Sequence, residues 1–291
     1  MRIDRRAVML GLAGAGLTAA LPARAQFNSR DAIRSGGGPS ALASEDDEIA
    51  LGQASMPGRI KGGGGAYPDP RAQEALRRFI RPLVAVCDRP HLPWTAVLTN
   101  SREPNANASL GGTLVVCAGL VAMCETQGEL ASALAHEIGH VDRLHINAKM
   151  DLALLMDQAG IGQGGLTQFS GATLPPEIQA KTEGLFKRLL SVSFTRMEEE
   201  EADAHIAVIF DRLGLDLRPA ASLFTKLAKA GDNFSFETNL TDDHPAPMAR
   251  AQRIMDQVAF NAPRGREPQL PGWEELKAPF PTPAKFRLRQ D

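Results

Sequence analysis

The sequence predicts an α+β domain, predominantly helical, with a small β-sheet beside one chemically unusual helix. Three observations carry this. Apolar residues recur at helical spacing through most of the chain, as in Ala75, Leu76, Phe79, Ile80, Leu83 and Val84. Two short runs, Trp94–Thr99 and the β-branched Thr113–Cys117, read as strands. A capping box, Thr126-Gln127-Gly128-Glu129, then opens a helix that carries H-E-x-x-H at His136, Glu137 and His140.

Each element has a local cause. Residues 1–25 put Arg2, Arg5 and Arg6 ahead of an apolar run that ends at Ala23-Arg24-Ala25, the pattern of an export signal. The run is too short for a membrane span, and Arg5-Arg6 resembles a twin-arginine signal, so a periplasmic protein without stable membrane insertion is expected. Residues 26–44 are rich in Gly, Ser and Ala and read as a flexible leader. Ser44 caps a short helix, and Pro70–Cys87 forms a longer one. The H-E-x-x-H helix is expected to run to about residue 147. The Gly-rich stretch 159–176 reads as a loop, and helices follow over about 177–191, 196–213, 218–230 and 247–259. A single domain thus spans 45–260, and the Pro-rich tail 261–291, with a lone Trp273, is expected to lie along the surface.

Composition narrows the function class. The 291 residues are 43% hydrophobic and 23% charged with a net charge of −2, which excludes a strongly basic nucleic-acid binder. Of three cysteines, Cys87, Cys117 and Cys124, none lies in a C-x-x-C pattern; they read as small buried hydrophobes, although an oxidising compartment permits one disulfide.

On a helix, His136 and His140 stand one above the other, so both imidazoles reach one ion, with Glu137 beside them as a general base for water. Catalytic zinc needs a third ligand. Position 146 is Ile146 and position 143 is Arg143, which excludes the metzincin pattern, and His145, one residue short and turned about 140° from His140, reads as a structural histidine. No glutamate occurs between Glu137 and Glu177, which excludes the thermolysin spacing. Four successive glutamates, Glu198 to Glu201, remain. Glu199 alone falls in the apolar stripe of Ala202, Ile206 and Phe210, and a buried carboxylate is costly unless paired or metal-bound. Glu199 is therefore the expected third ligand, and Glu201 is expected on the opposite side. Asp203, one turn on, suits the ring N–H of a ligand histidine.

These residues resemble the zinc peptidase family that includes HtpX and the CAAX prenyl protease, in particular its soluble periplasmic BepA-like branch. The family pairs H-E-x-x-H with a later E-x-x-A-D, matched by Glu199 to Asp203 after Thr195-Arg196. It also has N-A-x-A-x-x-G-G, matched by Asn105 to Gly112, and a His-Pro with a later Arg, matched by His244, Pro245 and Arg250. The chain departs from it at Asn107, often aromatic, and at Leu110, often proline, and the stretch after 258 is expected to be too short for the tetratricopeptide repeats of BepA-like members.

The resemblance implies a zincin-like domain with one Zn²⁺ on His136, His140 and Glu199, hydrolysing unfolded or misfolded envelope proteins. The segment Gly112, Thr113, Leu114, Val115 and Val116 is read as an exposed edge strand that pairs with an extended substrate. His244 is expected to stabilise the oxyanion or to occupy a fourth zinc position; Arg250 supports the oxyanion or salt-bridges the last helix. The alternative is a chaperone-like binder of unfolded proteins with an auto-inhibited zinc site, against which Glu137 argues.

Overall fold

Residues 44–150, 194–233, 247–260 and 265–283 are described by a computed structural model. The expected export signal, the leader, the loop 159–176, the helix 177–191 and His244 lie outside the described residues.

Helix α1, Glu45–Gly62, is capped by Ser44, whose hydroxyl accepts from Asp47 N–H, and is much longer than the expected short helix. Helix α2, Pro70–Ala85, starts with Asp69 as cap and Pro70 at its first turn, where the missing N–H costs nothing. Its stripe of Ala72, Leu76, Phe79 and Leu83 is completely buried.

Strands β1 (Thr95–Thr99), β2 (Ala106–Ser109) and β3 (Thr113–Cys117) form one sheet in the order β1-β3-β2. β1 pairs parallel with β3, and β2 pairs antiparallel with it. The expected exposed edge at Gly112–Val116 is therefore corrected: β3 is the central strand, buried at every position. Its continuous apolar run fits a strand covered on both faces. The edge beside the functional helix is β2, whose short Ala-Asn-Ala-Ser sequence gives no strand signal of its own. A tight turn, Leu110–Gly112, joins β2 to β3 and puts Gly111 at φ 64°. A Cβ on Gly111 would lie 2.6 Å from the Cα of Ile49, so glycine there also lets α1 rest on the turn.

After β3 come α3 (Ala118–Met123), α4 (Gln127–Asp142), α5 (Arg196–Leu213), α6 (Arg218–Asn233), α7 (Pro247–Phe260) and α8 (Trp273–Lys277). Helix α4 carries H-E-x-x-H and is buried nearly all round, because β2, α5 and α6 all pack on it. Its start is anchored by Lys226 of α6, whose Nζ donates to Glu129 at 2.7 and 2.9 Å and to Glu125 at 2.7 Å. A Cβ on Gly139 would lie 3.0 Å from the Cβ of His205 and 3.2 Å from the Cα of Ala202, so a glycine facing an alanine sets the close approach of α4 to α5.

Helix α4 does not run on to residue 147. It ends at Asp142, and Leu144 has φ 62°, a left-handed conformation that costs a non-glycine residue about 1–2 kcal/mol. A further helical turn begins at His145.

The tail also departs from expectation. Trp273, Leu276 and Phe280 are buried and join the main core. The Trp273 ring lies 6.1 Å from that of Phe79, and the Phe280 ring 4.8 Å from that of Tyr67. Their spacing is helical, a signal masked by the prolines around them. Cys87, Cys117 and Cys124 are free and buried, as the small-hydrophobe reading expects. No helix among the described residues is long and apolar enough to cross a membrane.

Candidate metal centre

Three buried donors converge between α4 and α5. His136 Nε2 and His140 Nε2 are 3.1 Å apart. Glu199 Oε1 lies 3.4 Å from His140 Nε2, and Glu199 Oε2 lies 3.6 Å from His136 Nε2. A tetrahedral zinc with ligand bonds near 2.0–2.1 Å separates its ligands by about 3.3 Å. The donor triangle therefore fits the ion, and its two imidazoles and one carboxylate match zinc chemistry. All three expected ligands are brought together.

Each donor is held from behind. Asp203 Oδ1 lies 3.1 Å from His136 Nδ1, within reach of that ring's N–H. Burial pushes Asp203 up, but hydrogen bonds from His136 and Arg250 outweigh this and keep it below its ordinary value. Arg250 of α7 is buried among them: Nη1 lies 2.6 Å from Glu199 Oε2, and Nη2 donates to Asp203 Oδ1 at 2.7 Å. Its guanidinium also lies 4.5 Å over the Phe224 ring. Arg250 thus pairs with the site's own carboxylates, and α7 is tied to α5 through them.

Behind His140 stands a second histidine. His145 Nδ1 is 3.0 Å from His140 Nδ1, and His145 Nε2 is 3.3 Å from Glu201 Oε2. Burial lowers His145 below the ordinary imidazole value, opposed by the hydrogen bond to Glu201. The 140° separation assumed a continuous helix; the left-handed Leu144 breaks it and brings His145 back beside His140. No glycine or asparagine marks the break, so the sequence holds no signal for it. Phe194 stacks on the His140 ring at 3.8 Å.

The four glutamates have four different tasks. Glu198 completes a capping box with Thr195, Glu199 faces the site, Glu200 pairs with Arg196 and Arg253 at 3.4 Å each, and Glu201 reaches back to His145.

Glu137 is buried, and its Oε2 accepts from Ala108 N–H of β2 at 2.8 Å. This bond fixes the carboxylate beside the donor triangle and shows that the outer edge of β2 faces the site. Arg59 of α1 braces β2 and the start of β3, donating to Asn107 O at 2.7 Å, to Asn107 Oδ1, and to Thr113 Oγ1 at 3.0 Å. Burial lowers the Arg59 guanidinium to about 10, opposed by the Glu137 charge, so it remains a cation at neutral pH. Next to Glu137 and His136 opens a small, largely apolar cleft, with Ala133, Leu120, Phe224 and Leu227 among its walls.

A second cluster of metal-capable groups, Asp88, Asp142 and His205, also lies along α4 and α5. Asp142 accepts from Asp88 N–H at 2.8 Å, Arg89 N–H at 3.1 Å and His205 Nε2–H at 2.7 Å. Arg143 Nη2 donates to His205 Nδ1 at 3.1 Å, and Arg212 Nη2 lies 2.8 Å from Asp88.

Residues 70–258 match peptidase family M48. The chain belongs to peptidase family M48. It is 28% identical over 159 residues to metalloprotease LoiP of Escherichia coli, covering 55% of this chain and 60% of that protein. It is 28% identical over 214 residues to the beta-barrel assembly-enhancing protease of Yersinia pestis, covering 72% of this chain and 43% of that protein. It is 29% identical over 140 residues to the mitochondrial metalloendopeptidase OMA1 of Arabidopsis thaliana, covering 48% of this chain and 27% of that protein. The matches thus span at most 60% of the length of these M48 relatives. The His136, His140 and Glu199 triangle is the metal-site candidate of this M48 domain.

Proposed function

We propose that the protein is a zinc-dependent endopeptidase that hydrolyses peptide bonds of unfolded or misfolded envelope proteins. Glu137 carries this reading: a buried carboxylate beside two histidines and a glutamate that fit one zinc, held on the strand edge by Ala108 N–H. When bound by His136, His140 and Glu199, zinc supplies Lewis acidity that acidifies water and polarises a carbonyl. Glu137 takes the proton of the attacking water and delivers it to the leaving amine. Arg250 holds Glu199 and Asp203 in place through its ion pairs with both.

Substrate lies extended along the outer edge of β2 at Ala106, next to the Ala108 N–H that holds Glu137, and an apolar side chain beside the scissile bond enters the cleft next to Glu137. Main-chain pairing selects unfolded segments and reads little sequence. The Arg-flanked N-terminal apolar segment with Ala23-Arg24-Ala25 supports export to the periplasm.

His244 is the candidate for stabilising the oxyanion. Changing it to Ala is expected to lower kcat about 100-fold with zinc retained; weaker zinc binding instead would mark it as a fourth ligand.

The deciding experiment is casein cleavage by the zinc-loaded wild type and by zinc-loaded Glu137→Gln. Cleavage by the first and a loss of about 10²–10⁴-fold in the second are expected, the contribution of a positioned acid–base group. If neither cleaves, yet both suppress aggregation of unfolded protein, the binder reading replaces the enzyme.

A further inference from the structure

We propose that His145 is a positioning residue of the metal centre: it fixes the tautomer and ring orientation of His140, and Glu201 fixes its own. The inference rests on reading His136, His140 and Glu199 as the zinc-holding set, and it goes beyond that set.

His140 and His145 meet Nδ1 to Nδ1 at 3.0 Å, both buried. Two imidazole nitrogens at that distance share one proton, with one as donor and the other as acceptor. A His140 that offers Nε2 to a metal carries its proton on Nδ1 and donates it to His145 Nδ1. His145 then carries its own proton on Nε2, which faces Glu201 Oε2 at 3.3 Å. Each link determines the next, so the chain has one consistent order: His140 Nδ1–H to His145, and His145 Nε2–H to Glu201. The reverse order puts the His140 proton on Nε2, where it faces His136 Nε2 and removes a donor from the triangle.

Geometry reinforces this order. The left-handed backbone at Leu144 places His145 beside His140, and Phe194 stacked on His140 limits rotation of that ring. Asp203 performs the matching task for His136 with a carboxylate. On the His140 arm the partner is a neutral ring, and the carboxylate stands one step further back. Groups behind metal ligands commonly change metal affinity by 10–100-fold when removed.

The test is zinc affinity of the full chain, by competition with a chromophoric chelator, for the wild type, His145→Leu, His145→Asn and Glu201→Ala, with melting of each metal-free protein recorded. His145→Leu is expected to bind zinc about 10–100-fold more weakly. His145→Asn puts an acceptor oxygen where Nδ1 was, and is expected to stay within about threefold of the wild type. Glu201→Ala should fall between them. A His145→Leu variant that binds as tightly as the wild type overturns the proposal, as does a His145→Asn variant as weak as His145→Leu, because ring volume would then be the cause. Nitrogen-15 spectra of the zinc-loaded wild type need no variant: they should show His140 protonated at Nδ1 and His145 at Nε2, and the opposite tautomers would defeat the idea even if His145→Leu fails to fold. A wild type that takes up no zinc removes the peptidase reading too, whereas zinc uptake unchanged by His145→Leu removes only the role of His145.

Discussion

Two clusters of metal-capable side chains bridge the same pair of helices, α4 and α5, and their chemistry differs. In the His136, His140 and Glu199 cluster, two ring nitrogens and two carboxylate oxygens converge on one point. In the Asp88, Asp142 and His205 cluster, the acceptors already receive hydrogens: two backbone N–H groups and a ring N–H on Asp142, and arginine on His205 and Asp88. In the first, ring nitrogens and carboxylate oxygens face one another and Arg250 pairs with Glu199 from behind; in the second, hydrogen-bond donors face the acceptors. Residue type alone does not separate a metal site from a structural clamp. The direction of the lone pairs does.

The largest expected effect tests that difference directly. His136→Ala and Glu199→Ala should leave no stoichiometric zinc after dialysis, measured by atomic absorption, and no casein cleavage. His205→Ala should retain zinc. If His205→Ala loses zinc as completely as Glu199→Ala, the distinction between the clusters collapses.

Asp142→Ala should act on folding, because it leaves two backbone N–H groups and His205 without their acceptor. A loss of about 3 kcal/mol in denaturant titration is expected, with zinc content per folded molecule unchanged.

Cys87 reports on the clamp. Burial, reinforced by the Asp142 charge, pushes its thiol up to about 12, so the native protein should resist alkylation at pH 8 while Asp142→Ala reacts. The sign of the pH dependence follows. Below the unfolded thiol value of about 8.5 both states are protonated and the full stability is present. Above it the unfolded thiol ionises and the folded one does not, so stability falls as pH climbs from about 8.5 towards 12. A melting temperature flat over that range in the wild type would contradict the assignment.

Smallest is Glu198→Ala. It removes a capping box rather than a ligand, so about 1 kcal/mol of stability should go, with zinc affinity intact. Equal zinc loss in the Glu198 and Glu199 variants would undo the assignment of the four glutamates.

The sequence was most informative where one element decides the outcome. α5 spans residues 196–213, as its apolar period predicts, and that period singles out Glu199 among four glutamates. The two histidines and Asp203 follow from helical geometry for the same reason. What escaped depends on contacts between elements or on backbone without a marker. β2 is a strand because β3 and Glu137 hold it, not because Ala-Asn-Ala-Ser prefers to be one. β3 is central because β1 reaches it in parallel, a pairing that no local pattern contains. The rotation count that turns His145 away from His140 fails at Leu144, where leucine occupies a conformation usually left to glycine. The apolar stripe puts Glu201 on the opposite side, and it is half exposed, yet its carboxylate still reaches His145.

The buried tail has a consequence for the order in which the protein is made. Trp273 and Phe280 cover Phe79 and Tyr67, which precede them by roughly two hundred residues. A nascent chain stopped at residue 260 has every proposed zinc ligand but an open core. Closure of that core therefore waits until synthesis has passed residue 280, well after the last proposed zinc ligand has been made.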